Sequence, residues 1–119
     1  MNHFMRQGEI WLINLDPTVG AEIKKTRPAI VVNDNSLGKL PLKIIVPLTD
    51  WKQRYEIAPW MVKVSPDQDN NLAKESAVDC FQIRSVSEVR FIKRVGSVNA
   101  DNFDSIKEAL SKVLTIETF

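Results

Sequence analysis

The chain of 119 residues is poor in the side chains that most enzymes use. It holds one histidine, His3, and one cysteine, Cys80. A lone cysteine excludes a disulfide within the chain, and the two together are too few for a Cys/His zinc site. A Ser-His-Asp or Cys-His nucleophilic site would have to rest on His3 near the N-terminus. The chemistry is therefore expected to proceed without an imidazole and with no metal or other cofactor. The glycines, Gly8, Gly20, Gly38 and Gly96, are scattered, so no glycine-rich loop cradles a phosphate. Asp67-x-Asp69-x-Asn71 begins like a calcium loop, but Leu72 stands where its glycine belongs and Val78 where its closing glutamate belongs. No apolar run reaches the roughly 18 residues that span a bilayer. The opening MNHFMRQGEIW lacks the charged start and unbroken apolar stretch of a secretory signal. With the single cysteine, these absences place the chain in a reducing cytoplasm with no membrane partner.

Net charge is nearly absent as well, at +1. Its distribution is uneven. Residues 1–63 carry nine Lys/Arg against six Asp/Glu, residues 64–95 carry five of each, and residues 96–119 carry two against four. A polyanion would meet the N-terminal half first, through a small and salt-sensitive bias.

What is present is a series of short apolar runs with turn residues between them. Glu9–Leu15 reads as a strand stopped by Asp16-Pro17, and Ala29–Val32 as a strand buried on both faces. Lys43–Leu48 follows as a third strand, with Pro47 marking an edge or bulge. Glu56–Val64 is a fourth with Pro59 inside it, and Ala77–Ile83 is a fifth. Residues 65–74 form a polar loop. Ser85 with Glu88 reads as a capping box over Val86–Arg90, and Phe91–Val98 is extended again. Phe103, Ile106, Leu110, Val113 and Leu114 then fall at helical spacing, with Asn99 or Asp101 as cap. Consecutive strands without intervening helices imply antiparallel pairing: a mainly β fold with a C-terminal helix, in one domain over 1–119.

The segment EIKKTRPAIVV at residues 22–32 carries the clearest functional signal. Glu22, Lys24, Lys25 and Arg27 lead into an apolar strand, and Pro28 stiffens the backbone behind Arg27. A rigidly placed guanidinium suits a bidentate grip on phosphate. Thr49 puts a hydroxyl at the rim of the third strand, Ser76 opens the fifth, and Gln82 is a polar group in an apolar run that needs partners.

These residues resemble the MazF/PemK toxins, the ribonuclease half of toxin–antitoxin pairs. The resemblance runs from Gly8 to Leu114. It is carried by GEIWLINLDPTVGAEIKKTRPAIVV at 8–32, IIVPLT at 44–49, the Ser76…Gln82-Ile83-Arg84 stretch and VRFIKRVGSV at 89–98. It implies a small SH3-like curled antiparallel barrel that forms a homodimer, binds a cognate antitoxin and cleaves single-stranded RNA without metal. The family's reactive arginine falls on Arg27 and its reactive threonine on Thr49. Such a nuclease can use the substrate's own 2′-hydroxyl as nucleophile, with Arg27 and Thr49 stabilising the added charge. The products are a 2′,3′-cyclic phosphate and a 5′-hydroxyl. Glu22 matches an acidic loop position of the family and is the candidate base.

Two positions depart from the family. Phe81 stands where some members have an aspartate, with Asp79 as the nearest acid, and Ala21 stands where some have histidine. Phe81 either stacks on a base or fills the core. Lys24, Lys25, Ser76, Asp79 and Gln82 complete the expected RNA-binding set, together with Trp51, Lys52 and Arg54, where Trp51 and Trp60 flank a basic loop. The competing readings are a CcdB-like toxin directed at gyrase through its C-terminal helix and terminal Phe119, and an inactive SH3-like binding module.

Overall fold

The computed structural model describes residues 5–37 and 39–117; His3, Gly38 and Phe119 lie outside them. Among these residues there are seven strands: β1 (Glu9–Asn14), β2 (Thr26–Val31), β3 (Leu42–Asp50), β4 (Met61–Val64), β5 (Ser76–Asp79), β6 (Arg84–Ser87) and β7 (Phe91–Ser97); six follow the apolar runs, and β6 lies where no strand is expected. One helix, α1 (Ala100–Val113), ends the fold; the Asn99 side chain caps it by accepting from the Asn102 N–H at 2.7 Å. All pairings are antiparallel, in the order β4-β5-β3-β2-β1-β7, with β6 added beside β3. β4 and β7 do not pair with each other, so the sheet curls without closing into a barrel. No helix among the described residues is long and apolar enough to cross a membrane.

The curl buries both faces of the central strands. Ile10, Ile30, Val46 and Leu48 pack on one face with Val62, Val64 and Val78, under Ile106 and Ala109 of α1. Ile13, Ala29, Val31 and Ile45 pack on the other with Met5, Leu15 and Val86. This alternation is the period-two geometry of strands, and it explains why Ala29–Val31 reads as an unbroken apolar run.

Two strands are shorter than their sequence suggests. Glu56–Val64 is strand only from Met61, because Gln53–Ile57 winds into a 3₁₀ turn and Pro59 has no N–H to give to a ladder. The strand expected over Ala77–Ile83 stops at Asp79. The Asp79 carboxylate accepts from the Phe81 N–H at 3.1 Å and turns Cys80–Gln82 into a second 3₁₀ turn. The capping box expected at Ser85 also shifts. Ser87 caps Glu88–Arg90, and Val86 stays in β6 opposite Lys43.

Prolines set the edges of the central ladder. Val32 N–H donates to the Ile44 carbonyl, so even-numbered residues of β2 and β3 face each other. The Pro28 nitrogen therefore faces β3, and the β2–β3 ladder ends at Ala29–Pro47, one step short of it. β2 itself begins at Thr26, so Arg27 lies inside the strand, paired with Ile13 of β1, rather than just before it.

Candidate functional site

Extending the β2–β3 register past its last paired residues, Ala29 and Pro47, sets Arg27 directly opposite Thr49. The Pro28 nitrogen offers no donor to hold the strands together there, and a cavity of about 200 Å³ opens between them. Arg27, Pro28, Leu48 and Thr49 line it from these two strands; Asp50, Lys74 and Ser76 line it from the end of β3 and the start of β5. The chain thus brings a half-buried guanidinium and a threonine hydroxyl into one pocket from positions 22 residues apart. Lys74 Nζ lies 3.0 Å from Asp50 Oδ2 at the mouth, and Ser76 Oγ donates to the Lys74 carbonyl at 3.1 Å. Asp50 and Lys74 had no motif to mark them in the sequence; only the pairing of Asp50 with Ser76 brings them to the pocket.

A larger groove of about 440 Å³ lies alongside, lined by Leu15, Ala21, Glu22, Ile23, Pro47, Phe81, Gln82, Ile83 and Arg84. Pro47 and Thr49 are two residues apart on the same face of β3, so the two cavities are roughly 7 Å apart along that strand. Phe81 is 68% exposed at the groove's rim, with its ring edge-on to Trp60 at 6.2 Å. Of its two expected roles, filling the core is excluded.

Gln82 finds the partners its position demands. Its Oε1 accepts from the Ile23 N–H at 2.6 Å, and its Nε2 donates to the Ala21 carbonyl at 3.3 Å and to Asp79 Oδ2 at 3.2 Å. The side chain ties the β1–β2 loop to the end of β5. Two later arginines, one in β6 and one in the turn before β7, hold the start of the same loop: Arg84 donates to the Leu15 carbonyl at 3.2 Å, and Arg90 donates to the carbonyls of Asn14 and Asp16. Burial pushes the Asp79 carboxyl above its ordinary value, and the hydrogen bonds from Phe81 and Gln82 offset part of that. Burial, and then the charge of Asp79, pushes the Cys80 thiol up to about 12, so it is inert as a nucleophile near neutrality.

The remaining expected residues lie apart from this constellation. Glu22 lines the groove rather than the Arg27 pocket, and its Oε1 accepts from the Val19 N–H at 2.5 Å. Lys24 and Lys25 are exposed on the same loop, where Asp16 Oδ1 holds the Lys25 N–H at 3.1 Å and Lys25 adopts a φ of 70°. Trp51 packs edge-on to Tyr55 at 5.8 Å with Lys63 over its face, and Arg54 lies over the Tyr55 ring at 5.3 Å. Trp51, Lys52 and Arg54 line neither cavity. Trp60, at the other end of the loop that Trp51 opens, packs against Phe81.

The fold and site define a small curled-sheet protein that offers an arginine–hydroxyl pocket beside an aromatic-rimmed groove. The sequence profile of the PemK-like, MazF-like toxins of type II toxin–antitoxin systems matches residues 6–114. The chain is 30% identical over 112 residues to the endoribonuclease MazF9 of Mycobacterium tuberculosis, covering 89% of this chain and 92% of that protein. It is likewise 30% identical over 113 residues to the endoribonuclease PemK of Escherichia coli, covering 93% and 83%. Among solved structures, MazF from Deinococcus radiodurans superposes with a TM-score of 0.78 at 22% identity, over 93% of this chain and 96% of that one. A mycobacterial endoribonuclease in complex with its cognate antitoxin superposes at 0.76, with 17% identity, over 96% and 98%. The chain belongs to the PemK-like, MazF-like toxin family of type II toxin–antitoxin systems.

Proposed function

We propose that this protein is the toxin of a toxin–antitoxin pair, an endoribonuclease that cuts single-stranded RNA without a metal. Residues 1–119 would form its single domain, acting in the cytoplasm. The observation that carries this reading is the placement of Arg27 opposite Thr49 around one pocket. In that pocket the guanidinium holds the scissile phosphate and the Thr49 hydroxyl donates to a non-bridging oxygen. Both interactions strengthen as the phosphorus gains negative charge under attack by the 2′-oxygen. The 5′-oxygen leaves, giving a 2′,3′-cyclic phosphate and a 5′-hydroxyl.

The neighbouring groove supplies the positioning. Phe81 offers a stacking surface to a flanking base, and Gln82 with Asp79 holds the loop wall against it. Glu22, the carboxylate expected to act as base, faces that groove and is assigned to contacts with the flanking nucleotide. Lys24 and Lys25 on the loop, Ser76 in the pocket, and Trp51, Lys52 and Arg54 beyond β3 extend the surface open to RNA. A homodimer, and an antitoxin that silences it by covering this face, complete the reading. The solved toxin–antitoxin complex among its structural neighbours supports the latter.

The test is cleavage of a long single-stranded RNA in excess EDTA, beside a fully 2′-deoxy strand. Wild type should cut only the RNA, and Arg27→Ala should lower kcat by about 10²–10³-fold, the usual cost of removing one transition-state donor. Cutting of the deoxy strand, or full activity in Arg27→Ala, refutes the mechanism. Intact RNA together with inhibition of gyrase would favour the non-enzymatic toxin instead.

A further inference from the structure

The reaction needs an acceptor for the 2′-hydroxyl proton, and few groups here can serve. Arginine stays protonated, and serine and threonine hydroxyls are poor bases at neutral pH. Among carboxylates near the site, Glu22 lines the other cavity and its Oε1 is occupied by the Val19 N–H. Asp79 is only 6% exposed, and its two oxygens take hydrogen bonds from Phe81 and Gln82. Glu75 pairs with Lys63 at 3.2 Å and does not line the Arg27 pocket. One carboxylate does line that pocket. Asp50 closes β3 immediately after Thr49, its side chain is 55% exposed, and Lys74 Nζ holds its Oδ2 at 3.0 Å.

We propose that Asp50, oriented by Lys74 at the mouth of the Arg27–Thr49 pocket, is the general base of RNA cleavage. This assignment rests on the endoribonuclease reading and replaces Glu22 in that role. As the 2′-oxygen bonds to phosphorus, its proton passes to the Asp50 carboxylate and the bond from phosphorus to the 5′-oxygen breaks. The 5′-oxygen takes a proton from solvent water, and the hydroxide left behind removes the proton from Asp50, which restores the enzyme. Lys74 is a positioning residue. Its ammonium holds Oδ2 at 3.0 Å and so fixes the orientation of the carboxylate.

The experiment is the pH profile of kcat/KM for a short RNA, measured for wild type, Asp50→Asn, Asp50→Glu, Lys74→Met and Glu22→Gln. Urea midpoints for each variant confirm folding. Loss of a general base costs about 10²–10⁴-fold, so Asp50→Asn should fall at least a hundredfold and lose the acid limb of the profile. Asp50→Glu should regain part of the rate together with that limb. Lys74→Met should lower kcat/KM yet keep the acid limb that Asp50→Asn lacks, because the carboxylate remains and loses only the contact that orients it. Glu22→Gln removes a contact to the flanking nucleotide and so lowers kcat/KM at every pH, but it should keep the acid limb. If wild type shows an acid limb that survives in Asp50→Asn, or that disappears in Glu22→Gln, the assignment is wrong while the endoribonuclease reading stands. A wild type that leaves RNA intact overturns both.

Discussion

Gln82→Ala removes three hydrogen bonds that join the β1–β2 loop to the rest of the fold, and its cost can be worked from their surroundings. A neutral hydrogen bond contributes about 1 kcal/mol net and one to a carboxylate about 2, which makes a gross loss of about 4 kcal/mol. The bond to the Ala21 carbonyl is solvent-exposed, so water replaces most of it. The bonds to Ile23 and Asp79 are partly buried and are not replaced as readily. About 3 kcal/mol remains, and at 1.4 kcal/mol per factor of ten this is on the order of a hundredfold in the opening equilibrium of the loop. Arg84 and Arg90 still hold Leu15, Asn14 and Asp16, so the opening should be confined to the segment around Ala21–Ile23. Amide hydrogen exchange resolves this. The Ile23 N–H should exchange about a hundred times faster in the variant, while amides of β1 and β3 change little. RNA cleavage should fall mainly through KM, since Gln82 holds the groove and touches no reacting atom. Unchanged protection at Ile23 would refute the loop-anchoring role, and a kcat collapse at unchanged KM would place Gln82 in the chemistry instead.

Two further outcomes follow from packing and burial. Gly96 lies against the 69–70 backbone: a Cβ there would stand 2.7 Å from the Asn70 carbonyl oxygen and closer still to that of Asp69. Gly96→Ala should therefore destabilise by about 1–3 kcal/mol or more, read as a lower urea midpoint at unchanged m-value. The raised Asp79 pKa means that the folded state binds more protons than the unfolded chain just above the ordinary value of 3.8. That contribution to stability is present below 3.8 and is lost as pH rises through the folded value, so wild-type stability relative to Asp79→Asn should decline across that window. Chemical denaturation at a series of acidic pH values measures the difference.

Much of the fold is legible in local pattern. β1, β3, β7 and α1 lie close to where apolar periodicity puts them, because each buries a face whose residues recur at the spacing of its element. The mismatches come from side chains whose partners are set by structure. Ala77–Ile83 has the composition of a strand, yet Asp79 accepts its neighbour's N–H and ends the ladder, which turns Phe81 outward from an apolar run. Pro59 reads as an interruption within a strand and proves to precede it.

The sequence by itself determined the family and the mainly β fold with its final helix, and it singled out Arg27 and Thr49 as candidates. Those features reside in residue type and short spacing, which a linear chain displays. Tertiary structure alone decided which groups share a cavity. The register of β2 on β3 sets Arg27 opposite Thr49, and Pro28 ends the ladder there. The pairing of β3 with β5 carries Asp50, Lys74 and Ser76 to the same pocket. Glu22, only five residues from Arg27, is carried by its loop to the other cavity. The physical reason is that antiparallel pairing makes neighbours of residues by register rather than by distance along the chain.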